Sequence, residues 1–348
     1  MNSFCGRFNE CNWITVDQFG LDNLKSSAFF LSHCHTDKET NDMRICRFLL
    51  FAVHSNPTDE ILYLDFMYMN YNEHIVPKNY GEKFTITAIC NNEKQELLLP
   101  SSSVDVTFLD AQHIPGSAMI LFEFHDGFRL LYTGDCRLSK DDWIACDMLK
   151  DPFTSSGFKR LDALYFDNTF CRRGAENIPA LKQSCALFVK MVKEWLEKDS
   201  NNKVLIWCGR FGHELLLKAV WNELHVKCHV TVMKYRIYSK IDFLADCITP
   251  LAQDTRVHAC TAKPSVTEEI STCWYCRPDR SNVRVIKPSA MCALGYENNR
   301  FCRLLYAGHC SLTETENALN LLRPVRAYPN TTDKHSKDFA EKLMKYFR

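Results

Sequence analysis

An α/β fold, with a β-rich first domain that takes up an inserted α/β domain, is predicted by three observations. Up to about residue 170 the chain is mostly short β-branched and aromatic runs between turns. After about residue 175 the apolar period becomes that of helices, which alternate with strands, and a short return segment closes the chain. The expected organisation is a first part at 1–160, the insertion at 161–300 and the return at 301–348.

The early strands are expected at Ala28–Ser32, Val104–Leu109, Ala118–Phe124, Arg129–Thr133 and Ala163–Phe166. Turn formers bound them, such as Asp126-Gly127 and Pro115-Gly116. A helix is expected from Ile178 to Lys198, with Leu181, Cys185, Phe188, Val192 and Trp195 on one stripe and Pro179 in its first turn. Strand Lys203–Cys208 and helices at His213–Leu224, Ser239–Leu251 and Ser336–Tyr346 complete the pattern. Strand, helix, strand, helix in this order implies a partly parallel sheet.

Composition narrows the class. The 348 residues are 46% hydrophobic and 24% charged, enough apolar surface for a core of globular type. Met1–Phe8 shows no basic segment followed by an apolar one, so no signal peptide is expected, and the apolar run Arg47–Val53 is too short to cross a bilayer. The 18 cysteines are scattered through apolar segments, a pattern of reduced thiols in a cytosolic or nuclear protein. With 42 basic and 42 acidic residues, whole-chain charge gives no footprint of nucleic-acid binding, which then requires a local basic patch.

The chemistry concentrates at strand ends. His33 and His35, two apart after an apolar strand, project the same way, and Asp37 lies two further on. Imidazole with carboxylate suits zinc or manganese. His-x-His alone is commonplace. Here His113, Asp135 and His309 also follow apolar runs, which puts all of them on one rim of a sheet; the bland alternative has each histidine satisfied singly by hydrogen bonds. A second cluster joins His229, His258, Cys260, Cys273 and Cys276. Two His and two Cys close a tetrahedral zinc site, but buried thiols and a core histidine explain these residues equally well.

Together these motifs resemble the metallo-β-lactamase fold and its β-CASP branch, specifically the DNA cross-link repair nucleases. The likeness rests on His33-Cys-His35-Thr-Asp37, His113, Asp135 in Tyr132-Thr-Gly-Asp135, Asp17, Asp167 in Phe166-Asp167-Asn-Thr, and the strings around Lys287 and Ala327. It implies an αββα sandwich with an inserted β-CASP domain. It also implies a catalytic zinc held by His33, His35, His113 and Asp135, and a second metal position with Asp37, bridging Asp135 and His309. Magnesium and manganese are alternatives at that centre. Asp17 would orient a ligand imidazole, Asp167 would brace the site, and Lys287 and Ser289 would touch phosphate. The resemblance further implies a structural zinc on His229, His258, Cys260 and either Cys273 or Cys276.

The implied activity is 5′-to-3′ exonuclease and hairpin or overhang endonuclease action on DNA, in end joining and cross-link repair within the nucleus. End-joining kinase and ligase complexes are the implied partners, although the recruiting tail of such proteins is not among these residues. No membrane partner is expected. Lys38 stands where the family has a histidine, and an ammonium has no lone pair for a metal. Glu39 is a substitute ligand on offer. Three readings follow: a one-metal enzyme, which is favoured, a weakened paralogue acting as a DNA-binding scaffold, or an erroneous segment at 38–50. A β-CASP ribonuclease is the competing enzyme. Arg137, just after Asp135, reads equally as a surface residue and as a substrate contact.

Overall fold

A computed structural model describes residues 4–18, 21–23, 26–33, 50–53, 75–88, 102–209, 211–261, 272–290 and 301–330. His35, Asp37, Lys38 and Glu39 lie outside them, as does the helix expected at 336–346. The chain forms two compact units: Met1–Asn177 with His309–Arg348, and Ile178–Gly308. Sheets together with helices in both make this an α/β protein.

The first unit holds two sheets. One is parallel, in the order β1 (Ile14–Val16), β2 (Ala28–Leu31), β3 (Leu50–Val53), β4 (Ile75–Lys78). The other has six strands. From its edge run β5 (Lys83–Thr87), β6 (Ser103–Asp110), β7 (Ala118–Phe124), β8 (Arg129–Tyr132), β9 (Ala163–Phe166) and finally β16 (Arg326–Pro329). β5 to β8 are antiparallel neighbours, whereas β9 joins β8 and β16 in parallel.

Strand periodicity assigns the core. In β7 the alternate residues Ala118, Ile120, Phe122 and Phe124 bury against Ile14, Val16 and Phe30 of the other sheet. The intervening Met119 and Leu121 pack with Trp143 and Leu319 on the opposite face. Those two residues belong to helices α1 (Lys140–Ala145) and α6 (Leu312–Leu322), so a sheet, an apolar layer, a second sheet and a helical layer succeed one another. Both helices begin with a capping box, Ser139 with Asp142 and Ser311 with Glu314.

In the second unit six parallel strands run in the order β12 (Ile248–Thr249), β11 (Cys228–His229), β13 (Val257–His258), β10 (Lys203–Ile206), β14 (Val283–Ser289), β15 (Phe301–Leu305). Helices α2 (Leu181–Leu196) and α3 (Glu214–Leu224) follow the expected stripes. The helix expected at Ser239–Leu251 is not formed. Thr231 caps an earlier helix, α4 (Val232–Tyr238), and only one turn, α5 (Asp242–Ala245), lies in the expected span. Pro250 cannot continue a helix and pushes Thr249 to extended backbone, so Ile248–Thr249 pairs with β11 instead. No helix of the described residues is long and apolar enough to cross a membrane.

Phe122 is fully buried and meets the rings of Phe8 and Phe30. Phe122→Ala is expected to destabilise the first unit by about 3–5 kcal/mol, as transfer and cavity terms add. The measurement is the shift in its urea midpoint at unchanged slope.

Candidate metal centres

Five strand ends of the first unit deliver the first cluster. β1 runs into Asp17, buried and in left-handed backbone at φ 60°. Its neighbour β2 runs into Ser32 and His33. The Asp17 carboxylate accepts the Ser32 amide at 2.8 Å, the Ser32 hydroxyl at 2.5 Å and the Tyr132 hydroxyl at 2.9 Å. Ser32 Oγ is also 2.9 Å from His33 Nδ1. A hydroxyl has one proton, and the carboxylate takes it, so this oxygen must accept from Nδ1–H. With Nδ1–H on Ser32, His33 turns Nε2 away from Ser32 and makes it the atom that would be offered to a bound metal.

That Nε2 lies 3.1 Å from Asp135 Oδ2, and His113 Nε2 lies 3.9 Å from the same oxygen. His113 follows β6 in a turn fastened by Ser117, whose hydroxyl accepts the amides of His113 and Ile114. Asp135 leaves β8 through Gly134 at φ 56°, where an added Cβ would stand 2.8 Å from Ser32 Oγ. Only glycine admits so close an approach. After β9, Asp167 accepts the Cys136 amide at 3.1 Å and His309 Nδ1 at 2.8 Å. His309 precedes the cap of α6, and its ring lies 4.7 Å from that of His113.

Two overlapping triads result: His33, His113 and Asp135, and Asp135, Asp167 and His309, each with ligand atoms within 4.8 Å of one another. Bonds of 2.0–2.2 Å to one ion put neighbouring ligand atoms about 3–3.5 Å apart; His33 and Asp135 already stand at 3.1 Å, and the nitrogen and oxygen donors suit a divalent cation. Burial disfavours the Asp135 charge, yet the imidazoles of His33, His309 and His113 outweigh it and hold the carboxyl well below its usual range. Burial likewise opposes a charged His309, but Asp167 and then Asp135 lift it to about 9.

The sequence pattern left Ser32, Tyr132 and Thr133 without roles. Thr133 Oγ1 accepts the Asp167 amide at 2.9 Å, so neighbours of the ligands hold them in place. The visible signal is position: each of the three lies within three residues before a ligand, Ser32 before His33, and Tyr132 and Thr133 before Asp135. Arg137 is neither a surface residue nor open to substrate. It is buried, donates to the His309 carbonyl at 2.8 Å and pairs with Glu314 at 3.2 Å.

The second cluster lies within the other unit. His229 and His258 end the adjacent strands β11 and β13 in register, with Nδ1 atoms 3.2 Å apart. Cys273 Sγ is 3.6 Å from His258 Nδ1, and the ligand atoms of His229, His258, Cys260 and Cys273 lie within 4.8 Å of one another. Tetrahedral zinc sets two nitrogens about 3.3 Å apart and nitrogen from sulfur about 3.6 Å, so the donor set fits that ion. Cys276 stands outside this foursome but 3.4 Å from the sulfurs of both Cys260 and Cys273. Hydrogen bonds from Cys260 and Cys276 hold the Cys273 thiol below its ordinary range. Every cysteine among the described residues is a free thiol.

Lys287 and Ser289 also belong to this unit, two apart on β14 and so on one face of the strand. Lys287 is exposed, with its ammonium 4.5 Å over the Trp207 ring.

No family model matches the chain. It is similar to the protein Artemis of mouse (Mus musculus), 28% identical over 369 residues that take in 95% of this chain and 48% of that protein. It is 24% identical to DNA cross-link repair protein SNM1 of Arabidopsis thaliana, over 96% of the chain and 67% of the relative. It is 28% identical to 5′ exonuclease Apollo of rat (Rattus norvegicus), over 71% of the chain and 41% of that protein. The chain is Artemis-like in sequence along nearly its whole length, and it spans about half the length of the Artemis proteins it matches.

Gly134→Ala forces Ser32 aside in strained backbone. It is expected to cost about 1–3 kcal/mol in thermal denaturation and to lower the metal content of the purified protein. The His309–Asp167 pair carries a pH signature in metal-stripped protein. Because the folded value of His309 is raised from 6.5 to about 9, its stabilisation is complete below pH 6.5 and is lost as pH rises through 9. Asp167→Asn is expected to flatten that slope in denaturation midpoints measured across the range.

Proposed function

We propose that this chain is a metal-dependent nuclease that hydrolyses phosphodiester bonds of DNA in DNA repair, on a metallo-β-lactamase fold with an inserted β-CASP domain. The observation that carries the reading is the pair of triads sharing Asp135. Likeness to an exonuclease and to a cross-link repair protein supplies the substrate class. The finer reading is 5′-to-3′ exonuclease and hairpin or overhang endonuclease action in end joining and cross-link repair, in the nucleus, with end-joining kinase and ligase complexes as partners.

His33, His113 and Asp135 would hold the first ion, with His35 and Asp37 completing the set by sequence pattern. Zinc suits these ligands, and magnesium or manganese suits the carboxylate side. When bound, the ion supplies Lewis acidity toward water and a phosphoryl oxygen. The protein does the rest. Asp17 and Ser32 fix the His33 tautomer, and Asp167 holds a proton at His309 Nδ1, so that a cationic ring stands beside Asp135 and favours an anionic phosphate. Lys287 and Ser289 are proposed phosphate contacts as a point charge and a hydroxyl. Lys38 leaves the second position one ligand short, which favours a one-metal form of the enzyme. In the inserted domain His229, His258, Cys260 and Cys273 would hold a structural zinc, a closed four-ligand site.

The test is end-labelled single-stranded, overhang and hairpin DNA, beside matched RNA, incubated with the purified chain. DNA cleavage is expected, is abolished by chelation, and falls at least about 100-fold in Asp135→Ala, since even outer-shell changes at metal sites cost 10–100-fold. Equal digestion by wild type and Asp135→Ala would assign the activity to a contaminant. Cleavage of RNA alone would give the site to a ribonuclease, and metal binding without cleavage to a scaffold.

A further inference from the structure

Five donors surround a position that takes four. His229 and His258 bring imidazoles, Cys260, Cys273 and Cys276 bring thiols, and tetrahedral zinc closes with four ligands. The common group of ligand atoms is His229, His258, Cys260 and Cys273, which leaves one thiol over. Cys276 is fully buried, in hydrogen-bonding contact with two of the four ligands, 3.4 Å from each sulfur. A ligand set with a spare thiol in van der Waals reach is a dithiol as well as a metal site.

Local backbone decides which pair closes. Cys273 precedes a single turn, Trp274–Cys276, and the Cys276 amide donates to the Cys273 carbonyl at 3.3 Å. That turn keeps the two α-carbons within the separation a disulfide tolerates, and side-chain rotation must close the sulfurs from 3.4 Å to about 2 Å. Cys273 is the partly exposed member of the pair, and the turn lies at the surface, with Trp274 65% and Tyr275 40% exposed. An oxidant from solvent therefore reaches Cys273 first and Cys276 second.

We infer that Cys273 and Cys276 form a peroxide-sensitive redox latch on the zinc of the inserted domain. Resting on the structural-zinc reading above, the latch gives Cys276 the role of resolving thiol. The Cys273 sulfur attacks one oxygen of a hydroperoxide, the O–O bond breaks, and water leaves after proton uptake, with Cys273 as sulfenic acid. The Cys276 sulfur then attacks the Cys273 sulfur, the S–S bond forms, and the hydroxyl leaves as a second water. Two electrons pass from the sulfur pair to one peroxide; the first water takes its proton from solvent, since the Cys273 ligand is a thiolate, and the Cys276 thiol proton ends in the second. The disulfide removes Cys273 from the ligands, three donors remain, and the ion is released.

The experiment uses the whole chain purified with zinc, treated with excess hydrogen peroxide. Free zinc is followed with a chromogenic chelator, and disulfides are mapped by peptide mass spectrometry. Wild type is expected to release its zinc as a Cys273–Cys276 disulfide appears, and to recover zinc binding after reduction. Cys276→Ser is expected to carry the same zinc but to release it at least about tenfold more slowly, because an isolated sulfenic acid lacks its resolving partner. Release from Cys276→Ser at the wild-type rate would overturn the latch, as would a Cys260–Cys273 disulfide in wild type. Loss of zinc from untreated Cys276→Ser would make Cys276 a ligand, which also overturns it. Wild type without zinc before treatment sinks the zinc assignment itself, a result read separately from all of these.

Discussion

A carboxylate taken out of water costs several kcal/mol unless positive charge or donors meet it. Asp135 is met by three imidazoles from three separate segments, and its carboxyl stays ionised against strong burial. The converse also holds: His33, His113 and His309 share a small volume only because an anion stands among them. Remove the charge and three rings with lone pairs and polar hydrogens face one another, with Ser32 and Asp167 still holding two of them from behind but nothing shared between them. The first unit is therefore organised around one negative charge, whether the counter-charge is a protonated imidazole or a cation.

That arrangement requires strands to stop abruptly and turn. β1, β6 and β8 each pass within two residues into left-handed backbone, at Asp17 (φ 60°), Gln112 (φ 52°) and Gly134 (φ 56°). A side chain at positive φ is uncommon and strained, and aspartate and asparagine tolerate it best. Asp17 offsets the strain by accepting three hydrogen bonds, two from Ser32 and one from Tyr132. Strain in one strand end thus fixes the ligand at the next, since Ser32 hands its hydrogen-bonding preference on to His33. Such a relay cannot relax one member without moving the other, which is why a methyl group at Gly134 would be felt at an imidazole it never touches.

Much of this was legible in the sequence because periodicity is local. The strands at Ala28, Val104, Arg129 and Ala163 declare themselves by alternation or by continuous burial, and the residues following them fall where ligands fall. What was not legible is what depends on pairing. That Asp17 reaches Ser32 follows from the parallel register of Val16 with Phe30, which no spacing announces. The buried state of Arg137 follows from Glu314, which arrives only with the closing helix. The helix expected at Ser239–Leu251 runs against Pro250, which excludes Thr249 from helical backbone and frees Ile248–Thr249 to pair as a strand. The Ser311–Glu314 capping box announced α6 just as openly and was passed over.

The two clusters solve opposite problems with the same residue types. Around Asp135 the donors are nitrogen and oxygen and are shared between two overlapping triads, and one carboxylate oxygen serves two imidazoles. No four of those atoms form a closed shell among the described residues, so a bound cation there would keep positions for oxygen ligands from outside the protein. Around His229 and His258 the donors are nitrogen and sulfur, grouped as a complete foursome with His258 fully buried. Two thiolates neutralise a divalent charge inside the protein and leave nothing for substrate to complete. An incomplete nitrogen and oxygen shell suits reaction, and a complete nitrogen and sulfur shell suits cohesion. The difference lies in ligand chemistry and closure, and it follows from which residues each sheet delivers to its edge.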